Sequence, residues 1–444
     1  MAPNPAPDQL LKTLYQRLAY VPLKPGDPFY EPLYEKRGVE DPVALMQKNI
    51  SFSDHESIQM FSGFRGAGKT TELFRLKADL ERQGYVVLYG DALTYLNPAE
   101  EIDISNLLIV LAGTFSDALE EEGLPHFGKD SYWDRFTNYL TTTEVKLEEV
   151  GLKTGADLKL NLQTAPTFRQ VLRTKLANHI GGLKKNVDRF FEDGIKALRA
   201  KRGESCAGVV FLFDQMEQIR GSLTNEQEVI HSVGRLFTQH LKLLGIPYLH
   251  LVYTVPPWLK FVLPNTVPIQ ILPSIRQWNK NPGRTPYAEG QKILQSLVHR
   301  RFGAAEFNQF FGARGSHHSQ ADRLIAVCGG HFRDLLLLLR ETVLRVETLP
   351  VTPEVIDNAI TAVRSNFLPI AIDDAKWLDR IGRDRDPALQ TTDKKDVNRL
   401  TRFLDTHFVL FFTNGEEWYD VHPLIRDEVR KIVEREAAQA PAAP

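Results

Sequence analysis

The sequence predicts an α/β protein built on a parallel sheet, and three observations lead to this prediction. A glycine-rich stretch, "GFRGAGKT" from Gly63 to Thr70, stands between a short apolar run and a segment with apolar residues at helical spacing. Two further apolar runs end at polar residues: "VVFLF" is followed by Asp214, and the last residue of "YLHLVYT" is Thr254. Strands covered on both faces of a parallel sheet have this character, and their carboxyl ends are where such sheets place ligands.

Bulk properties narrow the classes of protein to consider. With 444 residues the chain is long enough for two or three domains, and its formal net charge of −2 argues against a protein that coats nucleic acid. The two cysteines, Cys206 and Cys328, lack metal-ligand spacing and indicate a reducing compartment. The start of the sequence lacks the pattern of a secretion signal, and the apolar runs are too short for a membrane span. We therefore expect a cytoplasmic protein without a membrane contact.

The glycine-rich stretch has the form of a phosphate-binding loop. It matches G-x-x-x-x-G-K-[ST] at every fixed position, after a predicted strand at Ser57–Phe61 and before a predicted helix that ends at Gly84. The glycines allow the backbone to turn its N–H groups toward an anion at the positive end of the helix. We expect Lys69 to reach the β- and γ-phosphates, Thr70 to ligate Mg²⁺ and Thr71 to face the α-phosphate. The predicted cradle consists of Gly63, Phe64, Arg65, Gly66, Ala67, Gly68, Lys69, Thr70 and Thr71.

An acidic partner for this loop is expected at the end of the strand Val209–Phe213. Asp214 follows that strand directly, and Glu217 lies three residues further on. We assign Asp214 to a water-mediated Mg²⁺ contact and Glu217 to the polarisation of an attacking water. The alternatives are that Asp214 caps a helix and that Glu217 is an ordinary solvated glutamate in a first helical turn.

Two later residues complete the predicted site. Thr254 ends the strand "YLHLVYT", beside the γ-phosphate position, unless it is simply a threonine that closes a strand. Arg333 lies in the first turn of a helix that begins after Gly329-Gly330, where its charge opposes the positive end of the helix. A triphosphate would compensate that charge. The alternative is a surface ion pair with Asp334 or Glu341.

This order of motifs resembles the AAA+ and STAND groups of P-loop ATPases, and within them the origin-recognition-like and STAND branches. The resemblance implies a three-layer P-loop NTPase sandwich with a parallel sheet, a helical lid and a C-terminal winged-helix-like domain. It also implies that Lys69 and Thr70 belong to Walker A, Asp214 to Walker B, Thr254 to sensor 1 and Arg333 to sensor 2. The chain departs from most AAA+ proteins because Gln215, not an acid, follows Asp214. Arg300 and Arg301 are the candidates for an arginine finger.

The remaining segments are assigned around this core. Tyr30 or Tyr34 is a candidate for stacking on adenine, with ordinary packing as the alternative. A β-hairpin is predicted around Lys153–Gly155, and a long basic helical stretch over Thr167–Arg202. The predicted divisions are a lead-in at 1–54, an ATPase core at 55–275 with an insertion at 122–204, a lid at 276–365, a winged-helix-like domain at 366–436 and a disordered tail at 437–444.

Three functions remain open at this point. The favoured one is a regulatory ATPase that binds ATP and Mg²⁺ and switches conformation or oligomeric state for a protein effector, as in bacterial antiviral defence or signalling. The second is a DNA-associated ATPase of replication or transposition. The third is a nucleotide-binding scaffold with negligible turnover. The near-neutral charge and the aromatic residues of the predicted wing, Phe411, Phe412, Trp418 and Tyr419, favour the first function over the second.

Overall fold

The computed structural model describes residues 4–5, 7–34, 41–124, 138–139, 161–162, 164–222, 224–264, 267–312, 318–387 and 394–439. The chain divides into two compact units. One unit, called the loop unit below, consists of residues 1–41, 64–71 and 272–444. The other, called the sheet unit, consists of residues 42–63 and 72–271. Both units are therefore assembled from segments that are distant in the sequence.

The strands form one five-stranded sheet and two short two-stranded sheets. The five-stranded sheet has the order β3-β4-β5-β2-β6, and β2 pairs with β5, β5 with β4 and β4 with β3 in parallel. The strands are β1 Asn4–Pro5, β2 Ser57–Gly63, β3 Tyr85–Asp91, β4 Gly208–Asp214, β5 His250–Val255, β6 Ile269–Leu272, β7 Thr348–Leu349, β8 Val409–Thr413 and β9 Glu417–Val421. The predicted α/β class with a parallel sheet is confirmed.

The apolar runs became strands because both of their faces are covered. Every residue of β4 and of β5 is buried, including the polar residues Asp214 and Thr254. The register pairs Phe61 of β2 with Thr254 of β5, so the carboxyl ends of neighbouring parallel strands meet at one edge of the sheet. Asp214 and Thr254 therefore lie at the edge where β2 ends and the glycine-rich stretch begins.

Sixteen helices occur among the residues described. They are α1 Asp8–Arg17, α2 Pro42–Phe52, α3 Lys69–Arg82, α4 Ile104–Glu121, α5 Pro166–Leu176, α6 Ile180–Arg202, α7 Glu226–Gln239, α8 Leu241–Leu244, α9 Ala288–Phe302, α10 Ala304–Phe311, α11 His318–Val327, α12 Phe332–Arg345, α13 Pro353–Ser365, α14 Ile372–Asp384, α15 Lys394–Asp405 and α16 Pro423–Gln439. Within these described segments no helix is both long enough and apolar enough to cross a membrane.

The break before α12 depends on glycine. Gly330 has φ of 78°, and a Cβ added there would lie 1.8 Å from the carbonyl oxygen of Ile275. Its carbonyl accepts a hydrogen bond from Ile275 N at 3.0 Å. Since no side chain fits this approach, the chain turns here and starts a new helix at Phe332.

The C-terminal hairpin turns at the predicted Asn414-Gly415 pair and carries its aromatic residues inward. Phe412 and Trp418 are both fully buried, and their rings stack with centroids 4.4 Å apart. Helix α15 precedes the hairpin β8–β9 and helix α16 follows it. The helix, hairpin and closing helix thus occur in the expected order, and assignment to the winged-helix class stays a prediction.

Several sequence expectations change in detail. The long basic stretch is two helices, α5 and α6. Helix α16 continues to Gln439, three residues into the expected disordered tail. Residues 8–17 of the expected lead-in form α1, which belongs to the loop unit with the C-terminal helices. The hairpin predicted around Lys153–Gly155 lies outside the described residues.

Candidate functional site

The glycine-rich stretch forms a tight loop between β2 and α3. Gly66 and Gly68 have φ of 86° and 98°, which side chains other than glycine rarely adopt. Ala67 N donates to the carbonyl oxygen of Phe64 at 3.1 Å and closes a turn inside the loop. A Cβ added at Gly68 would meet no atom within 4 Å, so the space beside this residue is open to a ligand.

Lys69 is the first residue of α3 and lies against the loop. Its side chain is buried, and its Nζ donates to the carbonyl oxygen of Phe64 at 3.0 Å. Because the same ammonium group stands at the positive end of a helix, it adds to a field that favours an anion. The binding of phosphates by Lys69 stays a prediction.

The next two residues of the cradle differ in their surroundings. Thr70 lies in the first turn of α3 and is half-buried. Thr71 Oγ1 accepts a hydrogen bond from Leu23 N at 3.0 Å, which ties α3 to the N-terminal segment of the loop unit. The Thr71 hydroxyl keeps its own proton for another acceptor, and its role beside a phosphate stays a prediction.

The start of helix α12 touches the loop at two points. His331 Nε2 lies 3.1 Å from the carbonyl oxygen of Arg65. A Cβ added at Gly66 would lie 2.6 Å from Cβ and 2.8 Å from Cδ of Arg333, so the stem of that arginine lies directly on the loop. The Arg333 guanidinium carbon is 5.7 Å from the ring centre of Tyr20. The Arg333 stem therefore contacts the loop, and its role beside a phosphate stays a prediction. The contact of His331 was not predicted from the sequence.

In the sheet unit, Asp214 is held in a fixed orientation at the end of β4. Its Oδ2 accepts from the hydroxyl of Tyr89 at 3.0 Å, and its Oδ1 accepts from Gln215 N at 2.8 Å. Gln215 has φ of 74°, and this left-handed residue turns the chain into the short helix Met216–Gln218 that carries Glu217. Asp214 is fully buried, and the residue at the N-cap position of the short helix is Gln215, not Asp214.

Thr254 supports the same turn. Its Oγ1 accepts from Met216 N at 3.3 Å, and the residue is fully buried. The hydroxyl therefore connects the end of β5 to the turn that carries Glu217. The predicted contact of Thr254 with a γ-phosphate stays a prediction.

A third acid joins this edge of the sheet. Asp91 ends β3 and stands opposite Asp214 in the register of β3 and β4. Burial raises the pKa of the Asp91 carboxyl, the hydrogen bond from Leu93 N opposes that rise, and the charge of Glu217 adds to it. The sequence offered a signal for Asp91, because "YVVLYGD" is an apolar strand ending in an acid, the same pattern that identified Asp214.

Tyr89 keeps its proton in this environment. Burial raises the pKa of its hydroxyl, and the adjacent charge of Asp214 raises it further. The phenol is thus a permanent donor to Asp214 near neutral pH. A carboxylate oriented in this way, with acids and hydroxyls at the same sheet edge, provides the oxygen ligands that Mg²⁺ prefers.

Two other groups of predicted site residues have different surroundings. Arg301 is buried and donates to the carbonyl oxygen of Arg17 at 2.6 Å, and its candidacy as an arginine finger stays a prediction. Arg300 forms an ion pair with Glu31. Tyr34 is buried and its hydroxyl donates to the carbonyl oxygen of Pro273 at 2.9 Å, which corresponds to the packing alternative.

Comparison with known proteins finds distant structural likeness only. No family model and no curated protein matches the chain. The chain is similar to Cdc6p from Pyrobaculum aerophilum, with 12% identity, 92% of this chain and 98% of the other covered, and a TM-score of 0.35. It is also similar to the ORC2 protein of Aeropyrum pernix in its ADPNP-ADP complexes, with 10% identity, 93% of this chain and 99% of the other covered, and a TM-score of 0.38. A Walker-type ATPase of Pyrococcus abyssi is similar too, with 10% identity, 91% of this chain and 99% of the other covered, and a TM-score of 0.38.

Proposed function

We propose that this chain binds ATP together with Mg²⁺ and hydrolyses it as a regulatory switch. The observation that carries the proposal is the loop between β2 and α3, where two left-handed glycines and the buried Lys69 stand at the start of a helix. Backbone N–H groups, a helix N-terminus and an ammonium group are the elements that bind the phosphates of a nucleotide. The sheet edge at which this loop begins carries Asp214 and Glu217.

Each residue has a proposed task. Lys69 binds the β- and γ-phosphates, and the Thr70 hydroxyl and Asp214, through a water, hold Mg²⁺. A bound Mg²⁺ would neutralise charge on the β- and γ-phosphates as the γ-phosphoryl group passes to water and ADP leaves. Glu217 orients the attacking water, while Tyr89 fixes the Asp214 carboxylate. Arg333 senses the phosphates from helix α12, and its stem already lies on Gly66.

The switch is proposed to act on self-association or on a protein effector. The motif order resembles ATPases that act in bacterial antiviral defence and signalling, and we propose such a role. Two features of the C-terminal hairpin speak against the alternative of DNA reading. Its aromatic residues Phe412 and Trp418 are buried, and its exposed tip carries Glu416 and Glu417, whose charges repel phosphates.

The first experiment measures nucleotide binding by thermal unfolding with and without Mg·ATP. The wild type should gain about 2.7 kcal/mol of apparent stability at a hundredfold excess of ligand over its dissociation constant. Lys69→Ala should unfold at a similar temperature without nucleotide and gain nothing from it. Lys77→Ala, a change in a lysine further along α3, serves as the control and should retain the gain. Equal gains in Lys69→Ala and the wild type would refute the proposal.

A further inference from the structure

A surface cavity of about 180 Å³ lies within the sheet unit, beside the start of helix α4. Its floor is apolar, because Ile102, Ile104 and Leu236 line it and all three are buried. Ile102 N donates to Ser232 Oγ at 3.1 Å, which connects the floor to helix α7. A cavity of about 150 Å³ can hold benzene, so this one has room for a molecule of about 6–10 heavy atoms.

Two arginines stand at the rim of this cavity. Arg173 belongs to helix α5 and Arg235 to helix α7, and each side chain is about half exposed. Arg173 Nη1 lies 3.5 Å and Arg235 Nη2 lies 3.7 Å from the same atom, Glu101 Oε2. Strong hydrogen bonds between a guanidinium group and a carboxylate are about 2.7–2.9 Å long. Both contacts are therefore loose, and two guanidinium groups share one carboxylate oxygen.

Glu101 is held only weakly between these arginines. Its side chain is 38% exposed, and ion pairs at such exposed positions contribute little to stability. Turning the Glu101 carboxylate into water therefore costs little. The two guanidinium groups are then available to a carboxylate of another molecule, in a place that already accommodates a group of this size and charge.

Asp103 determines how much negative charge the cavity accepts. Its Oδ1 accepts from Ser105 N at 2.8 Å and from Asn106 N at 3.1 Å, so this carboxylate caps helix α4 and stays in the cavity wall. Burial raises the pKa of Asp103, while these two hydrogen bonds and the charge of Arg173 oppose that rise. With Glu101 turned away, two arginines face one aspartate. The surroundings therefore attract one negative charge and repel a second.

We propose that this cavity is a binding site for a small monocarboxylate with an apolar body. The carboxylate takes the place of Glu101 between Arg173 and Arg235, and the apolar body lies on the floor formed by Ile102 and Leu236. Small-molecule sites have this composition, an apolar wall with a few polar groups that fix the orientation of the ligand. Since one arginine comes from α5 and the other from α7, the bound carboxylate joins these two helices.

This inference does not rest on nucleotide binding. The residues that line the cavity belong to the sheet unit, and none of them is among the residues proposed to hold ATP or Mg²⁺. The proposed function has no assigned stimulus, and the cavity adds a second kind of ligand to the molecule. The experiments below are therefore done without nucleotide, so that their outcome does not depend on the phosphate loop.

The first test is titration calorimetry of the full chain with 4-methylpentanoate and with benzoate at pH 7. We expect dissociation constants of about 0.1–1 mM, within the range that ligands of this size reach. The neutral amides of the two acids have the same shape and should bind at least about tenfold more weakly, because they lack the charge. Succinate and inorganic phosphate should also bind more weakly, because Asp103 repels a second negative charge.

Three outcomes of this titration would overturn the proposal. One is the absence of binding by both monocarboxylates at about 10 mM, tenfold above the weakest expected dissociation constant. Another is equal binding of each acid and its amide. The third is tighter binding of succinate or phosphate than of either monocarboxylate.

Variants at the rim separate the site from general effects of charge. Arg173→Gln and Arg235→Gln should each weaken the binding of 4-methylpentanoate at least about tenfold, as expected for losing a hydrogen bond from a charged donor. Glu101→Gln should instead strengthen it about two- to tenfold, because the amide competes less for the guanidinium groups. Lys196→Gln removes an exposed cation of helix α6 in the same unit and should leave the affinity unchanged.

The opposite sign expected for Glu101→Gln keeps the test independent of folding, since a damaged fold can lose affinity but cannot gain it. Weaker binding by Glu101→Gln, or unchanged binding by both arginine variants, would overturn the proposal. Amide hydrogen exchange provides a second readout. Saturating 4-methylpentanoate should slow exchange in α5 of the wild type and not of Arg173→Gln. Unchanged exchange in α5 of the wild type would place the ligand elsewhere and overturn the proposal.

Discussion

At the level of single residues, Gly66 is where the loop is least able to change. Its φ of 86° suits glycine, and the space that a side chain would need is filled by Arg333 Cβ and Cδ. Because Cβ is fixed to the backbone of α12, it cannot swing aside as the end of a long side chain can. An alanine at this position would have to displace the helix or the loop itself.

We therefore predict that Gly66→Ala lowers the affinity for Mg·ATP at least tenfold, and Gly26→Ala provides the control. Gly26 has a similar φ of 84°, but an added Cβ meets nothing within 4 Å. The control should carry only the cost of the left-handed conformation, about 1–2 kcal/mol of stability, with unchanged affinity. Titration calorimetry and thermal unfolding of both variants measure the two effects. Equal affinities would mean that the contact with Arg333 does not constrain the loop.

At the level of elements, the C-terminal hairpin is anchored by one buried carboxylate. Asp420 on β9 accepts from Arg284, Arg385 and Arg426, and from the indole nitrogen of Trp278 at 2.9 Å. These partners come from the linker before α9, the end of α14 and the start of α16. Burial alone would raise the pKa of Asp420, but the hydrogen bond from Arg284 and the arginine charges hold it below its usual value.

We predict that Asp420→Asn destabilises the loop unit by about 3–5 kcal/mol, the range for removing one partner of a buried ion pair. Glu416→Gln breaks the exposed pair with Lys280 at the hairpin tip and should cost less than about 1 kcal/mol. Denaturant unfolding compares the two variants with the wild type. If Asp420→Asn lowered the free energy of unfolding as little as Glu416→Gln does, the ion pairs of the three arginines with this carboxylate would not stabilise the unit.

The stability that the Asp420 carboxylate contributes should also depend on pH in the acid range. Because the pKa of Asp420 is lower in the folded than in the unfolded chain, its stabilisation is complete above the unfolded value of about 3.9. It is lost as the pH falls through the lower, folded value. The wild type should therefore lose this contribution below about pH 4, while the difference between wild type and Asp420→Asn should shrink there.

At the level of the whole molecule, the predicted site residues are divided between the two units. Lys69, Thr70 and Arg333 belong to the loop unit, while Asp214 and Glu217 belong to the sheet unit. The loop unit also includes the C-terminal hairpin.

We predict that Asp214→Asn weakens Mg·ATP binding, whereas Glu217→Gln keeps the affinity and loses most hydrolysis. Positioning of a base typically contributes about a hundred- to ten-thousand-fold in rate. ATP-dependent assembly of Glu217→Gln should persist longer than that of the wild type, as measured by light scattering after a single addition of ATP. Asp91→Asn is the matched comparison, since it removes the acid beside Asp214 at the end of β3. Wild-type hydrolysis in Glu217→Gln, with loss in Asp91→Asn, would transfer the role of base to Asp91.

The sequence by itself determined the elements that carry the loop and the sheet. Apolar runs that end beside a glycine, an acid or a threonine identified β2, β4 and β5, because a strand covered on both faces is mostly apolar. The Asn414-Gly415 pair identified the hairpin turn, and Gly415 has the left-handed φ of 91° that residues other than glycine rarely adopt. These features are local, so spacing and residue type are sufficient to find them.

The tertiary structure alone decided which distant groups meet. Arg65 and His331 are 266 positions apart, and no local pattern indicates that the ring faces the Arg65 carbonyl on one side and Asp334 on the other. Likewise, only the packing shows that Arg301 is buried and donates to the carbonyl of Arg17. Whether a polar group meets a donor, an acceptor or a charge depends on the packing of the whole unit.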